Sequence, residues 1–215
     1  MNRNYKTVKI EGVGYYEEKK SKFTGMIRHT ETEEEVNAFL SEVRKKYYDA
    51  SHHCYACVLG RSGDNVRSSD DREPSGTAGH PILAVLQGAG LTDCCLIVTR
   101  YFGGTLLGTG GLVRSYTKAA KEAVNAALII EKYEAEMLEA TVDYSQYGAL
   151  QNYLRDHKLE ASDTQFSDKV TVIFPVSAEE AENTADTLTD LTQGRILLKR
   201  NEEHIWLEKT SEILL

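Results

Sequence analysis

The order of amphipathic segments after Ile130 is the feature that most constrains the fold. There the periodicity of apolar residues predicts six elements with almost no gaps between them. In chain order they are the strand EAEMLEATVDY, the helix YGALQNYLRDH, the strands LEASDTQFS and KVTVIFPVS, the helix AEEAENTADTLTDLT and the strand RILLKRNEEHIWLEK. The β-α-β-β-α-β order is the ferredoxin-like arrangement, in which two helices cover one face of an antiparallel sheet. We therefore predict a ferredoxin-like domain over residues 131–215, in a chain of the α+β class.

Residues 1–130 predict a separate first domain of mixed strands and helices. In chain order its segments are the strand YKTVKI, a turn at GVG, the extended run KSKFTGMI, the helix TETEEEVNAFLSEVRKKY, the strand SHHCYACVLG, a hairpin or exposed loop over GRSGDNVRSSDDREPSGTAG, the helix HPILAVLQGAG, the buried strand DCCLIVTRYF and the helix GLVRSYTKAAKEAVNAALI. Thr30 or Thr32 is the expected N-cap of the first of these helices.

The formal net charge of −8 is unevenly distributed along the chain. The first domain is close to neutral, and the acidic side chains are concentrated in the second. Because an acidic surface repels phosphates, the second domain is not expected to wrap around nucleic acid. The first domain remains free to carry a local basic patch.

Composition predicts a soluble, cytoplasmic protein. A chain of 215 residues with 41% hydrophobic residues can bury a sizeable core. The stretch MNRNYKTVKIEG has no apolar signal-peptide region, and the longest apolar runs fall far short of the ~20 residues that span a membrane. In that setting we expect the cysteines to be reduced thiols.

A glycine-rich stretch, RYFGGTLLGTGGLVRSY from Arg100 to Tyr116, lies between a predicted buried strand and a predicted long helix. Its glycines are Gly103, Gly104, Gly108, Gly110 and Gly111. Backbone N–H groups at a helix start can bind an anion. The spacing, however, matches neither standard phosphate motif: no lysine follows Gly108, and Val113 stands where a dinucleotide fingerprint needs a small residue. Tight turns and close packing are the alternative explanation of the glycines.

Basic side chains recur along one face of the helix that follows these glycines. Arg114, Lys118 and Lys121 lie at helical spacing. The opposite, apolar stripe comprises Leu112, Tyr116, Ala119 and Ala123. Together with Arg100 at the end of the preceding strand, the basic residues predict a site for the phosphates of RNA or for an acidic protein surface. A solvated helix face is the structural alternative.

Acidic and hydroxyl side chains are concentrated in the segment SDDREPSGTAGHP, from Ser69 to Pro81. The candidates are Asp70, Asp71, Glu73, Ser75 and Thr77. Paired carboxylates can coordinate a divalent metal or act as acid and base. Loops are routinely rich in these residue types, and Ser75 or Thr77 can cap the helix that begins near His80. We therefore favour a structural role, with no metal site and no catalytic residue.

Cys54 and Cys57 form a CxxC motif beside His52 and His53. On a strand, residues three apart point to opposite faces, so the two thiols cannot share a ligand. No second pair with ligand spacing completes a zinc site. We therefore predict buried thiols and no cofactor, and we retain His52 as a residue that can point into the same cleft as the glycine-rich stretch.

Three segments, in their order and separations, resemble the motifs of the IMPACT/YigZ family. They are HHCYACVLG, DDREPSGTAGHPIL and LIVTRYFGGTLLGTGGLVRSY. The resemblance covers the whole chain: residues 1–130 match the IMPACT domain, and the remainder matches the ferredoxin-like domain of bacterial members. Arg72 departs from the pattern, because family members often have a small residue there. Its charge argues against an open metal site at Asp70 and Asp71.

The resemblance implies an α/β sandwich for the first domain, similar to a domain of a small-subunit ribosomal protein and to domain IV of elongation factor G. It implies a second domain similar to domain V of the same factor. It also implies a role in translation, since eukaryotic members are implicated in restraining a translation-control kinase and bacterial members in binding RNA or ribosomes.

Our leading hypothesis is a non-catalytic cytoplasmic factor that regulates translation by binding RNA, the ribosome or a translation-associated protein through the first domain. The alternative is a small-molecule enzyme that holds a phosphorylated ligand at the glycine-rich stretch. A third hypothesis is a protein-interaction module that uses the acidic second domain. The sequence leaves the oligomeric state open.

Overall fold

A computed structural model of the chain describes residues 4–210, except for the side chains of residues 202–204. The chain divides into two compact units. Of the described residues, the first unit contains 4–132 and 208–210, and the second contains 133–207.

The first unit is built on a five-stranded antiparallel sheet. Its elements are β1 (Tyr5–Ile10), β2 (Gly12–Glu18), β3 (Ser21–His29), α1 (Glu33–Lys46), β4 (His52–Leu59), β5 (Asn65–Ser69), α2 (Gly79–Gly88), β6 (Cys94–Tyr101) and α3 (Gly108–Ala126). The sheet has the order β2-β3-β6-β4-β5, and all neighbouring strands in it are antiparallel. Strand β1 lies outside this sheet and pairs with residues 128–132.

Helices cover both faces of this sheet, so the first unit is an α/β sandwich. One core cluster joins the sheet to α2 and α3, and another joins its opposite face to α1. The cysteines mark the two faces, because Cys54 and Cys94 belong to the first cluster whereas Cys57 and Cys95 belong to the second. This separation confirms the prediction that Cys54 and Cys57 point to opposite faces. All four cysteines are buried and none forms a disulfide, which confirms the prediction of buried thiols.

Helix α3 packs against β2 and β3 through close backbone contacts that require glycine. A Cβ atom on Gly12 would lie 2.1 Å from the carbonyl oxygen of Ala123, and one on Gly14 would lie 2.2 Å from the Ala123 nitrogen. On β3, a Cβ atom on Gly25 would lie 2.5 Å from the carbonyl oxygen of Ala119. The predicted turn at GVG is therefore wrong: these glycines belong to a strand, and their small size serves close packing.

Helix α3 begins and ends earlier than its sequence pattern predicts. It starts at Gly108, where a φ of 69° turns the chain into the helix, and it ends at Ala126. The segment from Leu128 is a strand because it pairs with β1, with Val8 opposite Ile129. The predicted apolar stripe of α3 is confirmed, since all its residues are buried.

Helix α1 has one of the two N-caps that the sequence predicts. The Thr32 hydroxyl accepts a hydrogen bond from the Glu35 N–H at 3.2 Å, and the Glu35 carboxylate accepts from the Thr32 N–H at 3.4 Å. This capping box satisfies N–H groups that the first turn leaves free. Thr30, the other candidate, is buried, and its N–H donates to the Asp93 carbonyl.

The second unit confirms the predicted ferredoxin-like arrangement. Its elements are the later part of β7 (Leu128–Val142), α4 (Tyr144–Asp156), β8 (Asp163–Phe166), β9 (Val170–Ser177), α5 (Ala181–Leu191) and the earlier part of β10 (Leu197–Thr210). The strand order is β10-β7-β9-β8. Leu150 of α4 and Leu188 of α5 are buried in one core with residues of β7 and β9. Over residues 4–210, no helix is both long enough and apolar enough to cross a membrane.

We expect Gly14→Ala to destabilise the first unit by about 3 kcal/mol, because the added Cβ atom forces α3 away from the sheet. Gly88→Ala is the matched control: no atom lies within 4 Å of a Cβ atom at Gly88, so alanine there should stabilise α2 by ~0.5 kcal/mol. Reaction of the buried thiols in rising urea measures unfolding of this unit, because all four cysteines lie in it. Equal stability of the two variants would contradict the packing contact.

Candidate functional site

Asp70 holds the loop between β5 and α2 in place. Its carboxylate accepts hydrogen bonds from the N–H groups of Gly76 at 2.8 Å, Ala78 at 2.9 Å and Gly79 at 2.8 Å. Burial raises the pKa of the Asp70 carboxyl, but the three hydrogen bonds lower it by more, so its pKa lies below the ordinary value. Asp70 thereby caps helix α2, whose N-cap residue Ala78 has no side chain that can do so.

Ser75 and Thr77 do not cap α2, and that prediction is wrong. Thr77 is buried, and its hydroxyl donates to the Pro74 carbonyl at 2.6 Å within the loop. Ser75 is exposed. The prediction failed because the capping carboxylate of Asp70 lies eight and nine residues before the N–H groups that it accepts from, whereas an ordinary N-cap lies two or three residues before them.

Asp71 and two histidines of β4 hold the other side of the loop. The Asp71 carboxylate accepts from the His53 backbone N–H at 2.7 Å, and the Asp71 carbonyl lies 2.8 Å from Nδ1 of His52. A carbonyl can only accept, so Nδ1 of His52 carries the proton, and Nε2 of the neutral ring has the lone pair. Asp71 and Arg72 adopt φ of 39° and 70°, and Arg72 is exposed. The carboxylates of Asp70 and Asp71 thus both accept hydrogen bonds from backbone N–H groups.

Glu73 and Arg100 form a buried ion pair at the centre of the site. Nη1 of Arg100 donates to Oε1 of Glu73 at 2.7 Å, and the two residues are 5% and 8% exposed, respectively. The Tyr116 hydroxyl donates to the same oxygen at 2.8 Å, and Nε2 of His52 lies 3.7 Å from it. Because a buried charge is tolerated only with a partner, each member of the pair depends on the other.

Tyr116 of α3 extends this network into the core. Its ring meets Phe23 edge-on, with centroids 5.2 Å apart, and its oxygen lies 3.3 Å from Sγ of Cys54. Burial raises the pKa of the Tyr116 hydroxyl and of the Cys54 thiol, so both keep their protons at neutral pH. Tyr116 is therefore a fixed donor to Glu73. Sequence spacing identifies Tyr116 only as a member of an apolar stripe, which is why this role was missed.

A cleft of about 530 Å³ opens beside the ion pair. Its polar lining includes Ser51, His52, Glu73 and Arg100. Phe102, Leu107 and Leu112 provide apolar lining, and Gly108 and Thr109 of α3 also face it. The cleft therefore places His52 beside the glycine-rich stretch. The other predicted cleft residues, Asp70, Asp71, Ser75 and Thr77, are not among the described residues that line it.

The glycines of the stretch before α3 have different structural roles. Gly103 packs against the turn between β2 and β3, since a Cβ atom there would lie 2.1 Å from the Lys20 carbonyl carbon. Gly104 and Gly108 have φ of 83° and 69°, in the region that favours glycine. Close packing and tight turns therefore both occur in this stretch. They are the structural alternative to anion binding that follows from the sequence.

The first turn of α3 has no side-chain cap and no acidic residue. The N–H groups of Gly108, Thr109 and Gly110 are among those that a helix start leaves without a partner in the helix, and these residues are exposed. Gly111 is buried behind them. Aligned peptide dipoles give this end of α3 a partial positive charge, so it can accept an anion.

The predicted basic stripe lies on the surface of α3. Arg114 and Lys118 are exposed, and Lys121 is half-buried. Nζ of Lys118 lies 3.2 Å from the hydroxyl of Tyr16 and 4.8 Å from the centre of its ring. The stripe is therefore anchored to β2 at Lys118.

The turn between β2 and β3 adds cations that sequence analysis missed. Lys19 and Lys20 are exposed there, and the clustering of lysines in the segment KKSK was the available signal. Lys22 lies on β3, opposite Glu17, and faces away from α3 because its neighbour Phe23 packs on Tyr116. Lys19, Lys20, Arg114 and Lys118 together form the cationic surface. Within residues 4–210, no carboxylate forms an ion pair with any of these side chains.

Comparison with known proteins places the chain in a family. The Impact N-terminal domain matches residues 19–124, and the Domain of unknown function (DUF1949) matches residues 141–195. The chain is 35% identical to IMPACT family member YvyE of Bacillus subtilis (strain 168), over 94% of this chain and 93% of that protein. It is 38% identical to IMPACT family member YigZ of Escherichia coli (strain K12), over 86% and 92% of the two chains. The chain belongs to the IMPACT family.

A solved crystal structure of a hypothetical protein has a similar fold. It is 31% identical to the chain, with a TM-score of 0.60, and the match covers 94% of this chain and 99% of that one. The Impact N-terminal match, residues 19–124, contains the ion pair, the cleft and the cationic surface. The candidate site of this IMPACT family protein therefore lies within the domain that defines the family.

We expect Asp70→Asn to lower the free energy of unfolding by about 1 kcal/mol at pH 7, because a neutral amide is a weaker acceptor for the N–H groups of α2. The pKa of Asp70 is depressed in the folded state, so its stabilisation is present above the unfolded pKa of about 3.9 and is lost as pH falls through the lower folded value. In urea unfolding followed by circular dichroism, the difference from wild type should shrink below about pH 4.

Asp64→Asn is the control for this experiment. Asp64 is exposed just before β5, so its substitution should change stability by less than about 0.5 kcal/mol at either pH. A difference between Asp70→Asn and wild type that is independent of pH would show that the carboxylate is not the cap.

We expect Glu73→Leu to cost about 4 kcal/mol, because it leaves Arg100 buried without a counter-charge. The double variant Glu73→Leu/Arg100→Met removes both charges and should recover most of that loss. Urea-dependent exposure of the thiols measures both variants. A double variant as unstable as the single one would mean that the two charges do not depend on each other.

Proposed function

We propose that this protein is a non-catalytic cytoplasmic factor that regulates translation by binding RNA, free or in the ribosome, through its first unit. The resemblance to the IMPACT family implies the role in translation. The observation that carries the proposal is the cationic surface, because its side chains suit contact with phosphates.

The charges of the cationic surface are available to an external partner. Glu17 and Glu18 of β2 accept hydrogen bonds from the hydroxyls of Tyr15 and Tyr16, each at 2.9 Å, and within residues 4–210 neither carboxylate forms an ion pair with these cations. Exposed lysine and arginine side chains that bind phosphates release condensed counterions from the nucleic acid, which drives association.

Three elements of the first unit bring these cations together. Gly103 contacts the backbone of Lys20 and Ser21, which joins the glycine-rich stretch to the turn between β2 and β3. Lys118 contacts Tyr16, which joins α3 to β2. The turn, the stretch and the helix thus form one surface that can follow an RNA backbone.

An exposed aromatic ring lies beside the cations. Phe102 is 50% exposed next to Gly103, which packs on the turn that carries Lys19 and Lys20. RNA bases stack on such rings with little dependence on base identity. Phosphate contacts combined with stacking favour single-stranded RNA, bound with weak base preference.

The cleft beside the ion pair favours a second candidate function, an enzyme that acts on a phosphorylated small molecule. Its polar groups are, however, held by bonds within the protein: Glu73 by Arg100 and Tyr116, and Nδ1 of His52 by Asp71. We therefore favour a binding function over a catalytic one. A translation-associated protein with an acidic surface is the remaining class of partner for the cationic surface.

The double variant Arg114→Gln/Lys118→Gln tests the proposal. Fluorescence anisotropy with a labelled single-stranded RNA, at several salt concentrations, measures the affinity and its salt dependence. We expect the affinity to fall and the slope of log K against log salt to become shallower by about 1.4, because each lost phosphate contact on a single strand removes about 0.7.

Arg44→Gln/Lys45→Gln is the matched control, since it removes the same two residue types from exposed positions on α1. Helix α1 packs on the opposite face of the sheet from α3. The control should bind RNA with nearly the affinity and slope of wild type. Equal weakening by the two double variants would show that total charge alone matters and would reject the proposed surface.

A further inference from the structure

The cleft beside Glu73 and Arg100 has the size and lining of a small-ligand site. Its volume of about 530 Å³ is within the range of ligand pockets, which is about 300–1,000 Å³. Leu107 and Leu112 line it and also pack in or against the main core cluster, so this apolar wall is held in place. A small apolar group can bury itself there.

The polar side of the cleft contains a donor without an acceptor. Arg100 lines the cleft and is 5% exposed, and its buried Nε has no hydrogen-bond partner among the described residues. Its other nitrogens hold the guanidinium in place, with Nη1 donating to Glu73 at 2.7 Å and Nη2 to the Ser21 hydroxyl at 3.4 Å. An unmet buried N–H costs free energy that an incoming acceptor recovers.

The start of α3 supplies further donors to the same cleft. Gly108 and Thr109 line it, and their N–H groups belong to the first turn, which has no side-chain cap. The helix dipole adds partial positive charge at this end. The residues that carry these donors, at the helix start and at Arg100, thus line one cleft, and such a combination suits an anion.

Glu73 does not exclude an anion from the cleft. Arg100 offsets its charge at 2.7 Å, and the Tyr116 hydroxyl donates to the same carboxylate oxygen. His52, with Nε2 3.7 Å from that oxygen, contributes no negative charge in either protonation state. The partial positive charge of the α3 start therefore remains for a ligand.

We infer that this cleft binds a small organic anion, namely a carboxylate or a phosphate monoester on a short apolar chain. The anionic oxygens accept hydrogen bonds from the N–H groups of Gly108 and Thr109 and from Nε of Arg100. The apolar chain contacts Leu107 and Leu112. The donors of this site differ from the cations of the cationic surface, although Phe102 lines the cleft and also lies beside that surface.

Titration of the isotope-labelled full chain with hexanoate, hexyl phosphate, hexan-1-ol and inorganic phosphate, followed by NMR, tests this site. Hexanoate or hexyl phosphate should saturably shift the amide signals of Gly108 and Thr109 and the Nε–H signal of Arg100. Whichever of hexanoate and hexyl phosphate binds more tightly should bind at least about tenfold more tightly than hexan-1-ol or inorganic phosphate. That compound shows whether the site prefers a carboxylate or a phosphate. Equal binding of hexan-1-ol or inorganic phosphate, or shifts confined to other residues, would overturn the inference.

Thr109→Glu separates loss of binding from loss of folding. The new carboxylate takes the place of the anion, so we expect at least about tenfold weaker binding, while a carboxylate in the first turn maintains or raises the thermal midpoint. Asn125→Glu adds the same charge at an exposed position about 24 Å away along α3 and should leave binding within about twofold of wild type. Unchanged binding by Thr109→Glu would also overturn the inference.

Discussion

The buried ion pair between Glu73 and Arg100 connects the parts of the first unit that form its candidate site. Arg100 lies at the end of β6, Glu73 lies in the loop before α2, and Tyr116 of α3 donates to the same carboxylate oxygen. Because neither charge is tolerated in the core alone, sheet, loop and helix must meet for both to be buried. Both members of the pair and the start of α3 line the cleft.

Local periodicity predicted the helices and strands that bury one apolar face and expose the other. The six segments of the second unit each show a clear apolar period, and their order alone fixes the ferredoxin-like arrangement. The alternation of β4 placed Cys54 and Cys57 on opposite faces of the sheet, where the structure has them. The basic stripe of α3 was visible for the same reason, since Arg114 and Lys118 follow helical spacing.

Interactions between distant residues could not be predicted in this way. Arg100 and Glu73 are 27 positions apart, and no spacing rule pairs them. Strand β2 was missed because Gly12 and Gly14 are typical of a turn, and only the approach of α3 explains why small residues are needed there. The cap of α2 was missed because Asp70 reaches forward across its own loop to N–H groups eight and nine residues later. In each case a tertiary contact, and not a local preference, decides the conformation.

The cationic surface is where we place RNA, and its contact with RNA can be located directly. Ultraviolet crosslinking in cells that express the protein, followed by mass spectrometry of the crosslinked peptides, identifies the residues that touch RNA. The predicted result is crosslinks within residues 19–20 and 102–118, which carry the exposed ring of Phe102 and the cations of that surface. Crosslinks confined to the second unit, or co-purified partners that ribonuclease treatment leaves unchanged, would contradict RNA binding by the first unit.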